Sequence, residues 1–158
     1  MATVTNKKNS VYYQIDNTKA VVPASSTKTG TIVSSDILVT GTNTLFLSEV
    51  KPGDWLADIV TNNEVRRVQK VFDNTTLSID SAFTAALVGA AVVVVRSRAK
   101  QVSLGNAGGA DGTLDGVVME AGETVTYPKS NKNPDGSDFI DPIIVDATGT
   151  RVKVSITK

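Results

Sequence analysis

The sequence predicts an all-β protein: two small barrel- or sandwich-like units preceded by an extended N-terminal arm. Three observations carry that prediction. Between Gly41 and Arg96 each apolar piece has strand length, and each junction carries turn chemistry. Residues 90–95, A-A-V-V-V-V, are continuously apolar, as in a strand buried on both faces. The terminal T-R-V-K-V-S-I-T-K alternates apolar and polar side chains, giving one face to a core and one to water. A chain of 158 residues fits one domain or two small ones, and two half-size units would each be marginal alone. The predicted division is an arm over 1–27, a barrel-like unit over 28–98 and a sandwich-like unit over 99–158.

The first ten residues are polar, with two lysines and no periodicity. Val11 to Ile15 reads as a strand, with Asp16-Asn17 as the turn beyond it, and Ala20-Val21-Val22 is a short apolar patch before Pro23. Ala24 to Thr31, A-S-S-T-K-T-G-T, reads as a small-residue linker. A segment with two tyrosines and no core of its own must pack on something, either its own domain or a neighbouring subunit.

Ser34-Ser35-Asp36 forms a bend between two β-branched runs, and Gly41-Thr42-Asn43 turns the chain again. At Val50 to Asp54 (V-K-P-G-D), proline presets φ at the second turn position and glycine permits positive φ at the third, which makes a type II turn. Trp55, the only tryptophan, follows and is expected in the barrel core with Phe46, Leu77 and Phe83. Asn62-Asn63 closes a hairpin, since asparagine tolerates left-handed backbone. Val65, Val68 and Val71 repeat every third residue, as on a helix, but β-branching and flanking turns favour a strand with a bulge. Ser81 to Val88 has the cap and alanines for one helical turn.

Beyond Gln101, a strand leads into a glycine-rich loop over Gly105 to Gly112. Asp115-Gly116 suits a type I′ hairpin turn. Strands flank Ala121-Gly122, and Pro128 to Asp138 is polar and turn-forming throughout, as in an exposed loop. Thr148-Gly149 is the last predicted hairpin.

Lysine plus arginine equals aspartate plus glutamate at 16 each, so the charge is zero. That argues against bulk nucleic-acid binding, which relies on cationic neutralisation of phosphates. With no cysteine and no histidine, the chain has neither thiolate chemistry, cysteine–histidine zinc sites, nor the usual general base near neutral pH. No apolar run reaches the ~20 residues of a membrane-spanning helix, and the opening M-A-T-V-T-N-K-K-N-S does not read as a signal peptide. Asp111 and Asp115 in G-G-A-D-G-T-L-D-G suggest a calcium loop, but the spacing fits no calcium motif and reads first as turn chemistry. Arg66, Arg67, Arg96 and Arg98 read as a solvated basic face or as edge protection, with an inter-subunit salt bridge or a nucleic-acid contact as the alternative.

G-T-x-T-x-F (Gly41, Thr42, Thr44, Phe46), V-x-x-G-D-W-L (Val50, Gly53, Asp54, Trp55, Leu56), V-R-R-V-Q-K-V and T-L-S-I-D-S-A-F together resemble small β modules of tailed-bacteriophage virion proteins. D-G-x-x-M-E-A-G-E-T-V-T (Asp115 to Thr126) and D-P-I-I-V-D-A-T-G-T (Asp141 to Thr150) are similar to accessory proteins of phage heads and tails. The resemblance spans residues 28–158. It implies a non-enzymatic virion structural protein without cofactor, catalytic residues or metal site, present in many copies or as a homo-oligomer. The expected role is a capsid auxiliary or decoration subunit binding the major capsid protein or other virion proteins, with no membrane and no specific nucleic acid. A neck or tail ring, a head fibre and a glycan-binding adhesin module are the alternatives. The expected partner contacts are Val11, Tyr12, Tyr13 and Ile15 in the arm, and Lys129, Asn131 and Asp135 in the loop.

Overall fold

A computed structural model of the chain describes residues 5–7, 10–96, 98–128, 131–132 and 138–158. It has two compact units, Ala24–Arg96, and Met1–Pro23 together with Ser97–Lys158. The first unit is continuous in sequence and the second is split around it. Three strands precede the first boundary: β1 (Thr5–Lys7), β2 (Ser10–Asp16) and β3 (Lys19–Val22).

The continuous unit is a closed antiparallel barrel. It comprises β4 (Ser26–Ser34), β5 (Leu38–Thr42), the one-turn helix α1 (Phe46–Glu49), β6 (Trp55–Asp58), β7 (Glu64–Val71), β8 (Thr76–Ile79) and β9 (Leu87–Val95). The strands close in the order β4-β5-β8-β7-β6-β9, which leaves this sheet no free edge. Ile32, Val39, Phe46, Leu56, Val68, Leu77, Ile79, Phe83, Val92 and Val94 fill it.

The local chemistry that closes the barrel lies in the quoted motifs. A Cβ on Gly41 would collide with the Thr44 side chain and the tip of the Phe46 ring, so only glycine lets that corner close. Asn43 takes the left-handed backbone there, at φ 54°, and the Thr44 hydroxyl donates to the Asn74 carbonyl at 2.5 Å. Pro52-Gly53 makes the expected type II turn: Gly53 has φ 90° and Asp54 N–H donates to Lys51 O at 3.0 Å. The buried Asp54 carboxylate accepts Lys51 N–H and both forks of Arg96, at 2.8 and 2.6 Å. β7 is a strand, and its register shifts against β8 between Val68 and Lys70, so the bulge reading holds over the helical one.

Three local expectations are corrected here. Trp55 lies outside the barrel core: Leu56 beside it points inward, so alternation turns the indole outward, under Arg67 at 5.8 Å. Residues 81–86 form bends rather than a helical turn, because Asn62 and Glu64 take the backbone N–H groups of Ala85 and Thr84. Most of the expected linker is strand β4, paired with β9 from Ser26↔Val94 onward.

The split unit continues with β10 (Gln101–Asn106), β11 (Gly112–Leu114), β12 (Val117–Met119), β13 (Thr124–Pro128), β14 (Asn131–Lys132), β15 (Asp138–Phe139), β16 (Ile143–Asp146) and β17 (Arg151–Thr157). One sheet runs β1-β2-β17-β10-β13 and the other β12-β11-β16-β3, with β14 and β15 as a separate ribbon. Both sheets feed a single core of Ile15, Val22, Val102, Leu104, Leu114, Met119, Ile143, Val145, Val152, Val154 and Ile156. This is a β-sandwich.

Here too the sequence reading needs correction. From Ser10 to Val22 the expected arm is two strands of this sandwich: β2 pairs with β17 over Ser10↔Thr157 to Asp16↔Arg151, and β3 pairs with β16. The physical reason is burial, since Ile15, Val21 and Val22 need a core and β17 offers an alternating strand with a free side. Thr148-Gly149 is not a hairpin, because β16 and β17 lie in different sheets and the turn crosses between them. Gly105 belongs to strand β10 rather than to the glycine-rich loop.

Candidate functional site

Alternation along β2 separates the predicted contact residues. Val11 and Tyr13 pack against the sandwich core, and Ile15 lies within it at 4% exposed. Burial pushes the Tyr13 hydroxyl far up from its ordinary value, so it stays protonated at any working pH. Tyr12 alone of the four is exposed, at 40%. Asn131 lies in the short β14 strand, while Lys129 and Asp135 fall outside the described residues.

Tyr12 opens onto a surface that the sequence reading did not single out. Pairing aligns Tyr12 with Ser155, Ser155 with Ser103, and Ser103 with Thr126. The next row aligns Gln14 with Lys153, Lys153 with Gly105, and Gly105 with Thr124. Since paired residues in an antiparallel sheet point to one side, the outer face of the five-stranded sheet carries two rows of hydrogen-bonding groups beside one aromatic ring. The Ser103 and Thr126 hydroxyls are 3.0 Å apart. An open groove of about 440 Å³ runs over this face, lined among others by Tyr12, Gln14, Ser103, Gly105, Lys153 and Ser155. The alternation of β17 was the available signal, because a clean period of 2 marks Lys153 and Ser155 as outward.

A second feature is the β11–β12 hairpin, whose turn is the predicted Asp115-Gly116, with φ 49° and 80°. Its outer strand β12 lies at a sheet edge and leaves Val117 70% and Val118 59% exposed. The Asp115 carboxylate accepts Ile144 N–H at 2.7 Å. Desolvation nevertheless raises its affinity for a proton, and burial together with the Asp115 charge pushes the Tyr127 hydroxyl up. Asp111 accepts Ala121 N–H at 3.3 Å, so both aspartates of the calcium-like stretch serve backbone turns. Among the described residues no three acidic side chains come together as metal ligands.

No family model, curated protein or solved structure significantly matches this chain.

Two of the barrel's carboxylates, Asp58 and Glu64, are spent on its own loops. Asp58 is buried, which opposes its charge, but N–H groups of Val60, Thr61 and Asn62 and the Asn62 amide donate to it and hold its carboxyl below the usual range. Glu64, also against some desolvation, is held low by Thr84 and Arg66. Val60 and Val88 are 87% and 83% exposed and flank one groove on the barrel. Outward, the two units present exposed apolar side chains, a strand edge and a hydrogen-bonding sheet face.

Proposed function

We propose that this chain is a non-enzymatic structural protein of a tailed-bacteriophage particle, an auxiliary or decoration subunit that binds the capsid shell in many copies. The observation that carries this reading is the β12 edge. A three-residue strand that among the described residues is the edge of its sheet, with two exposed valines, suits strand addition and apolar burial by a partner. The phage-like motifs support it from another direction, because Gly41, Thr44, Gly53 and Asp54 shape a rigid barrel and leave its exposed valines for contact.

The test is binding of the purified chain to preformed shells that lack it. A decoration subunit saturates at a copy number fixed by the shell lattice, and Val117→Lys with Val118→Lys reduces occupancy at least about tenfold, as loss of an apolar anchor does. A closed ring of fixed rotational order in solution, with no affinity for shells, would overturn the reading in favour of a neck or tail component.

A further inference from the structure

We propose that the groove on the outer face of the five-stranded sheet is a binding site for an acidic saccharide. Gly105 is the first reason. It lies inside strand β10, its φ is not in the left-handed region, and a Cβ there would meet only Thr124 Oγ1 at an ordinary 3.4 Å. Neither backbone geometry nor packing requires glycine, and glycine weakens a strand interior. What the missing side chain provides is a bare floor between Lys153 and Thr124, where a ligand ring can approach the sheet.

The rim supplies the rest of the chemistry. Tyr12 offers an exposed aromatic ring beside that floor, on which the apolar face of a pyranose can lie. Gln14, Ser103, Ser155 and Thr124 present amide and hydroxyl groups that both donate and accept, as sugar hydroxyls require. Lys153 is the one charged side chain among the described lining residues, and its charge complement is a carboxylate. A uronic-acid sugar combines all three features: a flat apolar face, a ring of hydroxyls and one negative charge. This inference is independent of the β12 edge, and the saccharide can bind whether or not the chain joins a capsid.

The experiment is calorimetric titration of the full chain with trigalacturonic acid and with its methyl ester, alongside Gly105→Val, Tyr12→Ala and Lys153→Gln. The acid is expected to bind about tenfold more tightly than the ester, the scale of one charge-assisted contact. Lys153→Gln removes that preference, Tyr12→Ala weakens both ligands, and Gly105→Val abolishes both while melting like the parent protein. Amide chemical-shift mapping on the unmutated chain gives a readout that needs no variant, with shifts expected at Tyr12, Gly105 and Lys153. No binding, equal binding of acid and ester, shifts clustered elsewhere, or undiminished binding by Gly105→Val would each overturn the proposal. A change in self-association on Gly105→Val, with no saccharide bound by the parent protein, would also overturn it and make the face a protein interface.

Discussion

The barrel and the sandwich are both small antiparallel β units, yet they are wired in opposite ways. In the barrel, β4 pairs with β5, β6 with β7 and β7 with β8, so half of its six seams join neighbours in sequence. In the sandwich, β2 leads to β3, β10 to β11, β12 to β13 and β16 to β17, and each of these steps changes sheet. Its longest seam, β2 against β17, joins the two ends of the chain. In the barrel, local turns make half of the seams, and β4 against β9 closes it between its two ends. The sandwich is held by pairing between distant segments, and loop-closure entropy opposes that pairing until the core forms.

The largest test of this contrast is deletion of residues 1–22. The sandwich loses β1 and β2 from one sheet and β3 from the other, with Ile15, Val21 and Val22, and is expected to unfold, while the barrel keeps every strand. Amide exchange should show protection retained over 24–96 and lost over 97–158. Protection across both would mean that the β2–β17 seam is dispensable.

Next in size is Gly41→Val, which forces a side chain onto Thr44 and Phe46 and should cost the barrel about 3 kcal/mol, as overpacking does. A melt followed at Trp55 reads it, and an unshifted transition would show that the corner can relax.

The Asp54–Arg96 clamp gives a smaller and asymmetric pair. The Asp54 side chain is 5% exposed and Arg96 45%. Arg96→Met strands a buried carboxylate that keeps only Lys51 N–H and should cost about 2 kcal/mol. Asp54→Asn keeps an acceptor for Lys51 N–H, leaves a half-exposed guanidinium in water, and should cost about 1 kcal/mol. Equal denaturant midpoints for the two variants would break the argument.

The smallest effects are in pH dependence, where the units should differ in sign. Asp58 has a lowered proton affinity in the fold, so its contribution is present above the ordinary aspartate value near 4 and is lost as pH falls through the folded value. Asp58→Asn should flatten that acid limb in the barrel. Asp115 is raised, so the folded sandwich loses stability as pH climbs from the ordinary value through the folded one. Asp115→Asn retains the acceptor for Ile144 N–H and suits left-handed backbone, and should stabilise at pH 7 by about 0.5 kcal/mol. That gain should vanish below pH ~4, where the carboxyl is protonated in both states.

The same contrast decides what the sequence revealed. Turn residues act over four positions, so Pro52-Gly53, Asn62-Asn63 and Asp115-Gly116 were readable, as was the bulge in β7. Pairing between Tyr12 and Ser155 leaves no local mark, and β2 therefore read as an arm with nothing to hold. Trp55 was misplaced because size suggested burial, whereas strand alternation from Leu56 decides its side. The groove was half legible: alternation exposes Lys153 and Ser155, but only register puts them beside Gly105 and Tyr12.

Ser26 and Val94, near the first and last residues of the barrel, face each other as paired neighbours. A module that enters and leaves through adjacent strands can be spliced into a host turn as a cassette, since the host ends need hardly separate to admit it. Genes carrying the sandwich with another insert, or with a short turn from 23 to 97, are the descendants such an arrangement permits.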